Sequence, residues 1–117
     1  MTPEELSERL LNYAARVGKV VDALPNGKLG NHVANQLVRC GTSPQANYEE
    51  GCAAESRADF IHKLRVVLKE LRESSNWLRY IVKTDLLPGQ RLSDLIDEAT
   101  QLCNIIGKSI STAGGND

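Results

Sequence analysis

Leu6, Leu10, Tyr13, Val17, Val20 and Leu24 recur at alternating steps of four and three residues, which places them on one stripe of a 3.6-residue helix. Thr2-x-x-Glu5 is a capping box with Pro3 at the first helical position, and Pro25-Asn26-Gly27 interrupts the pattern. The spacing predicts a helix over about residues 3–24. Leu29, Val33, Leu37 and Cys40 begin a second apolar face that meets Gly41-Thr42-Ser43-Pro44 and resumes to about Ser56. Pro44 removes one backbone hydrogen bond, so one helix over residues 28–56, kinked near Pro44, is expected, with two shorter helices as the alternative.

Ser56-x-x-Asp59 is a fresh N-cap signal. Behind it Phe60, Leu64, Val67, Leu68, Leu71, Leu78, Ile81 and Val82 share one face of a third helix over residues 57–85. Leu87-Pro88-Gly89 ends that helix. Leu92, Leu95, Ile96, Ala99, Leu102, Ile106 and Ile110 then predict a fourth over residues 90–112, followed by a frayed tail at 113–117. Short connections between long amphipathic helices make neighbours run antiparallel. The expected fold is all-α: one antiparallel, up-down-up-down four-helix bundle domain over residues 1–117.

Composition agrees with that pattern. The chain is 41% hydrophobic but only 4% aromatic, so its core must come from Leu, Val, Ile and Ala, residues that favour a helical bundle over a sandwich. Cys40, Cys52 and Cys103 are an odd number without C-x-x-C spacing, and His32 and His62 stand far from any cysteine pair. They read as reduced thiols packed as small apolar groups, with no metal and no cofactor expected. Met1-Thr2-Pro3-Glu4-Glu5 lacks the basic and apolar regions of a secretory leader, and no apolar run approaches the roughly 20 residues that span a bilayer. A cytoplasmic protein without membrane contact is the expectation.

Charge adds what the apolar pattern omits. Arg65, Lys69, Arg72, Asn76, Arg79 and Lys83 are spaced four, three, four, three and four, which puts five cations on one face of the third helix. Residues 57–84 hold seven basic against three acidic groups, and residues 85–117 two against five, a division hidden by the overall charge of −1. Like charges at these spacings repel by roughly 0.2–0.5 kcal/mol per pair in an isolated helix. The stripe therefore calls either for an anionic partner or for local relief from Glu70 and Glu73 on a solvated face. Candidate anions are RNA phosphate, an acidic protein, or Asp94, Asp97 and Glu98 of the fourth helix in the same or a neighbouring subunit.

Two further groups stand apart from simple core packing. Gln36, Arg39, Thr42, Ser43, Asn47 and Glu50 fall to one side of the second helix, and a buried Arg39 would need Glu50 or Glu70 as counterion. That set reads as a structural polar network, with a ligand pocket at the kink as its alternative. His62, Val66, Glu73, Trp77 and Tyr80 form another face of the third helix, where Trp77 and Tyr80 suit a subunit interface. The Glu-x-x-His pairs of di-iron bundles are missing, as are G-x-S-x-G, G-x-x-x-x-G-K-[ST] and H-E-x-x-H. No catalytic residue is nominated, and a non-enzymatic protein is expected.

The segments Arg39-Cys40-Gly41-Thr42-Ser43-Pro44-Gln45-Ala46-Asn47-Tyr48-Glu49-Glu50-Gly51, Ser56-Arg57-Ala58-Asp59-Phe60-Ile61-His62-Lys63-Leu64 and Leu68-Lys69-Glu70-Leu71-Arg72-Glu73 through Trp77-Leu78 resemble the 23S rRNA intervening sequence proteins, or S23 family. The likeness runs over most of the chain. It implies a small bacterial four-helix bundle, often encoded within insertions of large-subunit ribosomal RNA genes and without established enzymatic activity. It also implies ring-shaped homopentamers, with a related branch acting as accessory protein to the reverse transcriptase of diversity-generating retroelements. Two features depart from the family pattern: Arg39-Cys40 replaces the usual Arg-Ser, and a pI near 6.1 is low for a strong RNA binder. The function implied is a homo-oligomeric binding or adaptor bundle contacting RNA or an RNA-associated protein through Arg65, Lys69, Arg72, Arg79 and Lys83. The alternative is a purely structural interaction bundle that uses the same stripe for subunit assembly.

Overall fold

The computed structural model describes residues 1–115, which form four helices: α1 Pro3–Ala23, α2 Lys28–Cys52, α3 Arg57–Lys83 and α4 Gly89–Ala113. Each start has a local cause. Thr2 Oγ1 accepts from the Glu5 amide at 3.1 Å while the Glu5 carboxylate accepts from the Thr2 amide at 3.0 Å, which closes the capping box of α1. Ser56 Oγ accepts from the Asp59 amide at 3.1 Å and starts α3.

The ends depart from expectation more than the starts. Helix α2 stops at Cys52, four residues short of the expected Ser56, because residues 53–56 must turn before Ser56 can cap α3 in extended backbone. Helix α3 stops at Lys83, two residues before the expected 85, through a Schellman motif rather than at the Leu87-Pro88-Gly89 stop. Asp85 adopts φ 57°, its amide donates to Val82 at 3.2 Å, and the Leu86 amide reaches back to Ile81 at 3.1 Å. Helix α2 runs unbroken through Pro44, so the chain takes the one-helix form rather than two shorter helices. Of the tail expected to fray, Ala113 is still helical, Gly114 and Gly115 form a turn, and Asn116 and Asp117 lie outside the described residues.

Contacts between helices run in opposite chain directions, as an up-down bundle requires. Ser7 of α1 donates to Glu49 of α2, whereas Val17, further along α1, packs on Gly41. Between α2 and α3, Glu50 meets Lys63, Arg39 meets Glu70, and His32 meets Trp77. The stripe of α1 is buried as predicted, against Val33, Leu37 and Cys40 of α2, Leu64, Val67, Leu71, Leu78 and Ile81 of α3, and Leu92, Leu102 and Ile106 of α4. Tyr13 enters that core because its hydroxyl bonds Ser74 Oγ at 2.7 Å, and Ser74 in turn donates to the Leu71 carbonyl. Burial pushes the Tyr13 phenol upward. Leu29 is a correction: expected on the buried face, it is exposed in the first turn of α2. No helix among the described residues is long and apolar enough to cross a membrane.

The thiols are a second correction. Only Cys40 is fully buried, where desolvation pushes it up to about 12; Cys103 is half-buried and raised by the same cause, and Cys52 is exposed. In the folded protein a thiol reagent at mildly alkaline pH should modify Cys52 first, Cys103 more slowly, and Cys40 only as the bundle unfolds. Timed mass spectrometry checks the order, and rapid labelling of Cys40 would contradict a closed core.

Close approach of α1 and α2 rests on Gly41, where an added Cβ would lie 2.6 Å and 2.9 Å from the two methyl groups of fully buried Val17. At Gly18 and Gly107 the same atom meets nothing within 4 Å. Gly18→Ala and Gly107→Ala should each stabilise by roughly 0.5–1 kcal/mol through helix propensity. Gly41→Ala should lose roughly 1 kcal/mol net, because overpacking a stiff β-branched neighbour outweighs that gain. Urea unfolding reads the sign at each position.

Candidate functional site

All six stripe positions, Arg65, Lys69, Arg72, Asn76, Arg79 and Lys83, are exposed on α3. From Arg65 to Lys83 the row extends about 27 Å at 1.5 Å per residue. Its later part, Arg72, Asn76, Arg79 and Lys83, forms one wall of a groove between α3 and α4. One stretch of about 320 Å³ is lined by Arg72, Ser75, Asn76, Thr100, Cys103 and Asn104. The next, of about 470 Å³, is lined by Asn76, Arg79, Tyr80, Val82, Lys83 and Ile96. Asn76 belongs to both, so amide and hydroxyl groups lead into an apolar stretch with the cations alongside.

Of the carboxylates that sequence reasoning offered to this row, Glu70, Glu73, Asp97 and Glu98 are engaged elsewhere, and Asp94 forms no ion pair among the described residues. Glu70 turns inward and accepts from Arg39 Nη1 at 2.9 Å, and Glu73 accepts from Arg39 Nη2 and from Trp77 Nε1. Arg39 beside Glu73 holds that carboxyl below its ordinary range, with Trp77 and Lys69 acting in the same direction. On α4, Glu98 is taken by Arg9 and Asp97 accepts from Gln101 at 2.7 Å. Among the described residues, none of the five stripe cations forms an ion pair within the chain.

The expected polar network divides rather than closing. Arg39 pairs with Glu70 as anticipated, but it is not buried, since its side chain keeps 50% of its exposure while that of Glu70 keeps 11%. Glu50 goes instead to Lys63 at 3.0 Å, Asn47 Nδ2 donates to the Ser43 carbonyl at 3.1 Å, and Thr42 donates to the Val38 carbonyl. Gln36 lies half-buried beside them, outside the ion pairs. Ser43 Oγ is buried without a hydrogen-bond partner among the described residues. Glu50 and Glu70 thus serve separate cations, and Arg39 is joined by Glu70 but not by Glu50.

Trp77 is half-buried against the core. Edge contacts to His32, with centroids 5.7 Å apart, and to Tyr80, at 5.6 Å, extend an aromatic row outward across α2 and α3. Tyr80 remains 39% exposed and His62 is exposed, whereas Val66 is half-buried. Part of the Trp77 ring is therefore accounted for within one chain, and Tyr80 is left to face outward.

Sequence reasoning missed the seam between α1 and α4. Arg9 Nε and Nη2 both donate to Glu98 at 2.8 Å, and Nη2 also reaches Gln101. Further along the same seam a groove of about 240 Å³ is lined by Arg16, Lys19, Val20, Arg91 and Leu95. The usable signal was the seven-residue step separating Arg9 from Arg16 and Arg91 from Glu98, on the flanks of the two core stripes.

The Arg39–Glu70 contact yields a test of structure. Arg39→Gln and Glu70→Gln should each lower the melting temperature by a few degrees, with the double variant clearly less destabilised than the sum of the two. Strict additivity would mean that the pair is not coupled.

Comparison with known proteins follows the same architecture. No curated protein matches the chain. A crystal structure of a protein of unknown function from the S23 ribosomal protein family of Bacteroides thetaiotaomicron VPI-5482 superposes with a TM-score of 0.84 at 30% identity, covering 90% of this chain and 97% of that one. The family model described as 23S rRNA-intervening sequence protein matches residues 5–108, which include every stripe cation and both partners of the Arg39–Glu70 pair. The chain belongs to the family of 23S rRNA-intervening sequence proteins.

Proposed function

We propose that this protein is a non-enzymatic binding and adaptor module of the cytoplasm, built from copies of itself, that engages RNA phosphate through the exposed stripe of α3. The observation that carries this reading is the unanswered charge of Arg65, Lys69, Arg72, Arg79 and Lys83, with Glu70, Glu73 and Glu98 committed to other cations. Five cations in one row match the regular charge of a nucleic-acid backbone better than a single small anion. Beside them the groove supplies Asn76, Thr100 and Asn104 as hydrogen-bonding groups suited to unpaired bases. The name of the family refers to ribosomal RNA, which agrees with this reading.

Assembly is part of the proposal. The outward row of Trp77 and Tyr80 is the face offered to a neighbouring subunit, and the family resemblance implies a ring of five. Repeating a modest site around a ring raises avidity without new contacts. This compensates for a net charge of −1, which supplies no long-range attraction for the molecule as a whole.

Fluorescence anisotropy with a labelled single-stranded ribosomal RNA fragment tests the proposal. Log affinity should fall with log salt at a slope of about 0.7 for each phosphate contacted. Arg72→Glu combined with Arg79→Glu should abolish binding while the particle mass measured by light scattering stays unchanged. Unmeasurable affinity at low salt, or binding indifferent to the double reversal, would remove RNA from the reading. If the particle mass falls instead, the stripe serves subunit assembly.

A further inference from the structure

Helices α1 and α4 touch more sparingly than any other neighbouring pair, and charge is spread unevenly along their seam. At one end Arg9 forks onto Glu98 with two bonds of 2.8 Å, the bidentate geometry in which a guanidinium and a carboxylate hold each other best. The helices run antiparallel, so seven residues forward on α1 and seven back on α4 return to the same seam. At that register Arg16 stands where Arg9 stood, but the residue in the place of Glu98 is Arg91. A carboxylate is replaced by a second guanidinium.

Lys19 adds a third cation to the same groove of about 240 Å³, whose remaining lining is Val20 and Leu95. No carboxylate lines it, and Asp22 and Asp94, the acidic residues closest in sequence to these cations, form no ion pair among the described residues. Arg91 also lies in the first turn of α4, which has no acidic residue and no side-chain cap, so its charge adds to the positive end of the helix dipole. Three positive side chains from two helices line one groove where packing is thinnest, an arrangement that is repulsive unless an anion enters.

We infer that this end of the α1–α4 seam is a binding site for a compact phosphate dianion, either inorganic phosphate or the terminal phosphate of a small phosphorylated ligand. The dianion takes the place of the missing carboxylate and clamps α1 to α4, as Glu98 does one heptad away. A nucleic-acid backbone is the poorer occupant, because each diester carries one charge and the three cations share one small groove. The site lies on a different seam from the α3–α4 groove and stands whether or not RNA binds there.

Thermal unfolding at matched ionic strength tests the assignment, with inorganic phosphate and ribose 5-phosphate compared against chloride. Phosphate should raise the melting temperature by a few degrees in the native chain and equally in the Arg72→Glu, Arg79→Glu variant. Arg16→Gln should weaken the response at least about tenfold in phosphate concentration. Arg91→Glu rebuilds the Arg9–Glu98 arrangement, so the ligand-free protein should melt higher and the phosphate response should vanish. A stronger response to ribose 5-phosphate assigns a phosphorylated molecule whose remainder rests on Val20 and Leu95, and an equal response assigns free phosphate. The site is overturned if phosphate does no more than chloride, if Arg91→Glu and Arg16→Gln respond like the native chain, or if the α3 reversals abolish the response.

Discussion

Arg39 reaches from α2 to α3, holding Glu70 at 2.9 Å with one amino group and Glu73 with the other. This contact divides the charge of α3 between two sides. Two of the helix's three acidic residues are drawn toward α2, and the outward row from Arg65 to Lys83 is left without a carboxylate of its own. Glu73 keeps some electrostatic contact with Lys69, one turn away, but its hydrogen bonds go to Arg39 and Trp77. The same guanidinium thus fastens α2 to α3 and exposes the feature by which the protein is proposed to act.

Charge is handled differently at the two seams of α4. Toward α3 the cations stand on one helix and line a groove whose α4 wall is neutral, with Ile96, Thr100, Cys103 and Asn104. Toward α1 the charges sit on both helices, matched as Arg9 with Glu98 at one end and mismatched as Arg16 with Arg91 at the other. An extended row and a point cluster attract different anions: the row follows a repeating backbone, and the cluster neutralises one compact, multiply charged group. A protein with a net charge of −1 therefore presents two anion-attracting surfaces of distinct geometry.

Several elements are legible in the sequence. Helix α1 follows from its capping box and four-three stripe, and every residue of that stripe is buried. The start of α3 follows from Ser56 and Asp59. Other elements were not legible, for identifiable reasons. The end of α3 uses Asp85 in left-handed backbone, a position where glycine is the usual signal, so the pattern pointed to Pro88 instead. Leu29 has the period of a core residue, yet it falls in the first turn of α2 and stays exposed. Arg39 was paired with Glu50 or Glu70 on the premise of burial, but a long side chain can reach its counterion from the surface and stays half exposed.

The sequence by itself determined the four helices, most of the residues that form the core, the family and the existence of a cationic row. Each of these depends on short-range periodicity, on caps closed within three residues, or on motifs contained in one segment. Only the tertiary structure decided which carboxylate meets which cation. Arg39 had Glu50 and Glu70 within reach on paper, and it took Glu70 and Glu73 while Glu50 went to Lys63. Glu98 was a candidate for the α3 row and was claimed by Arg9, 89 residues away in the chain. Flanking charges on a helix can turn toward either neighbour, and the choice is made by the register in which distant helices pack.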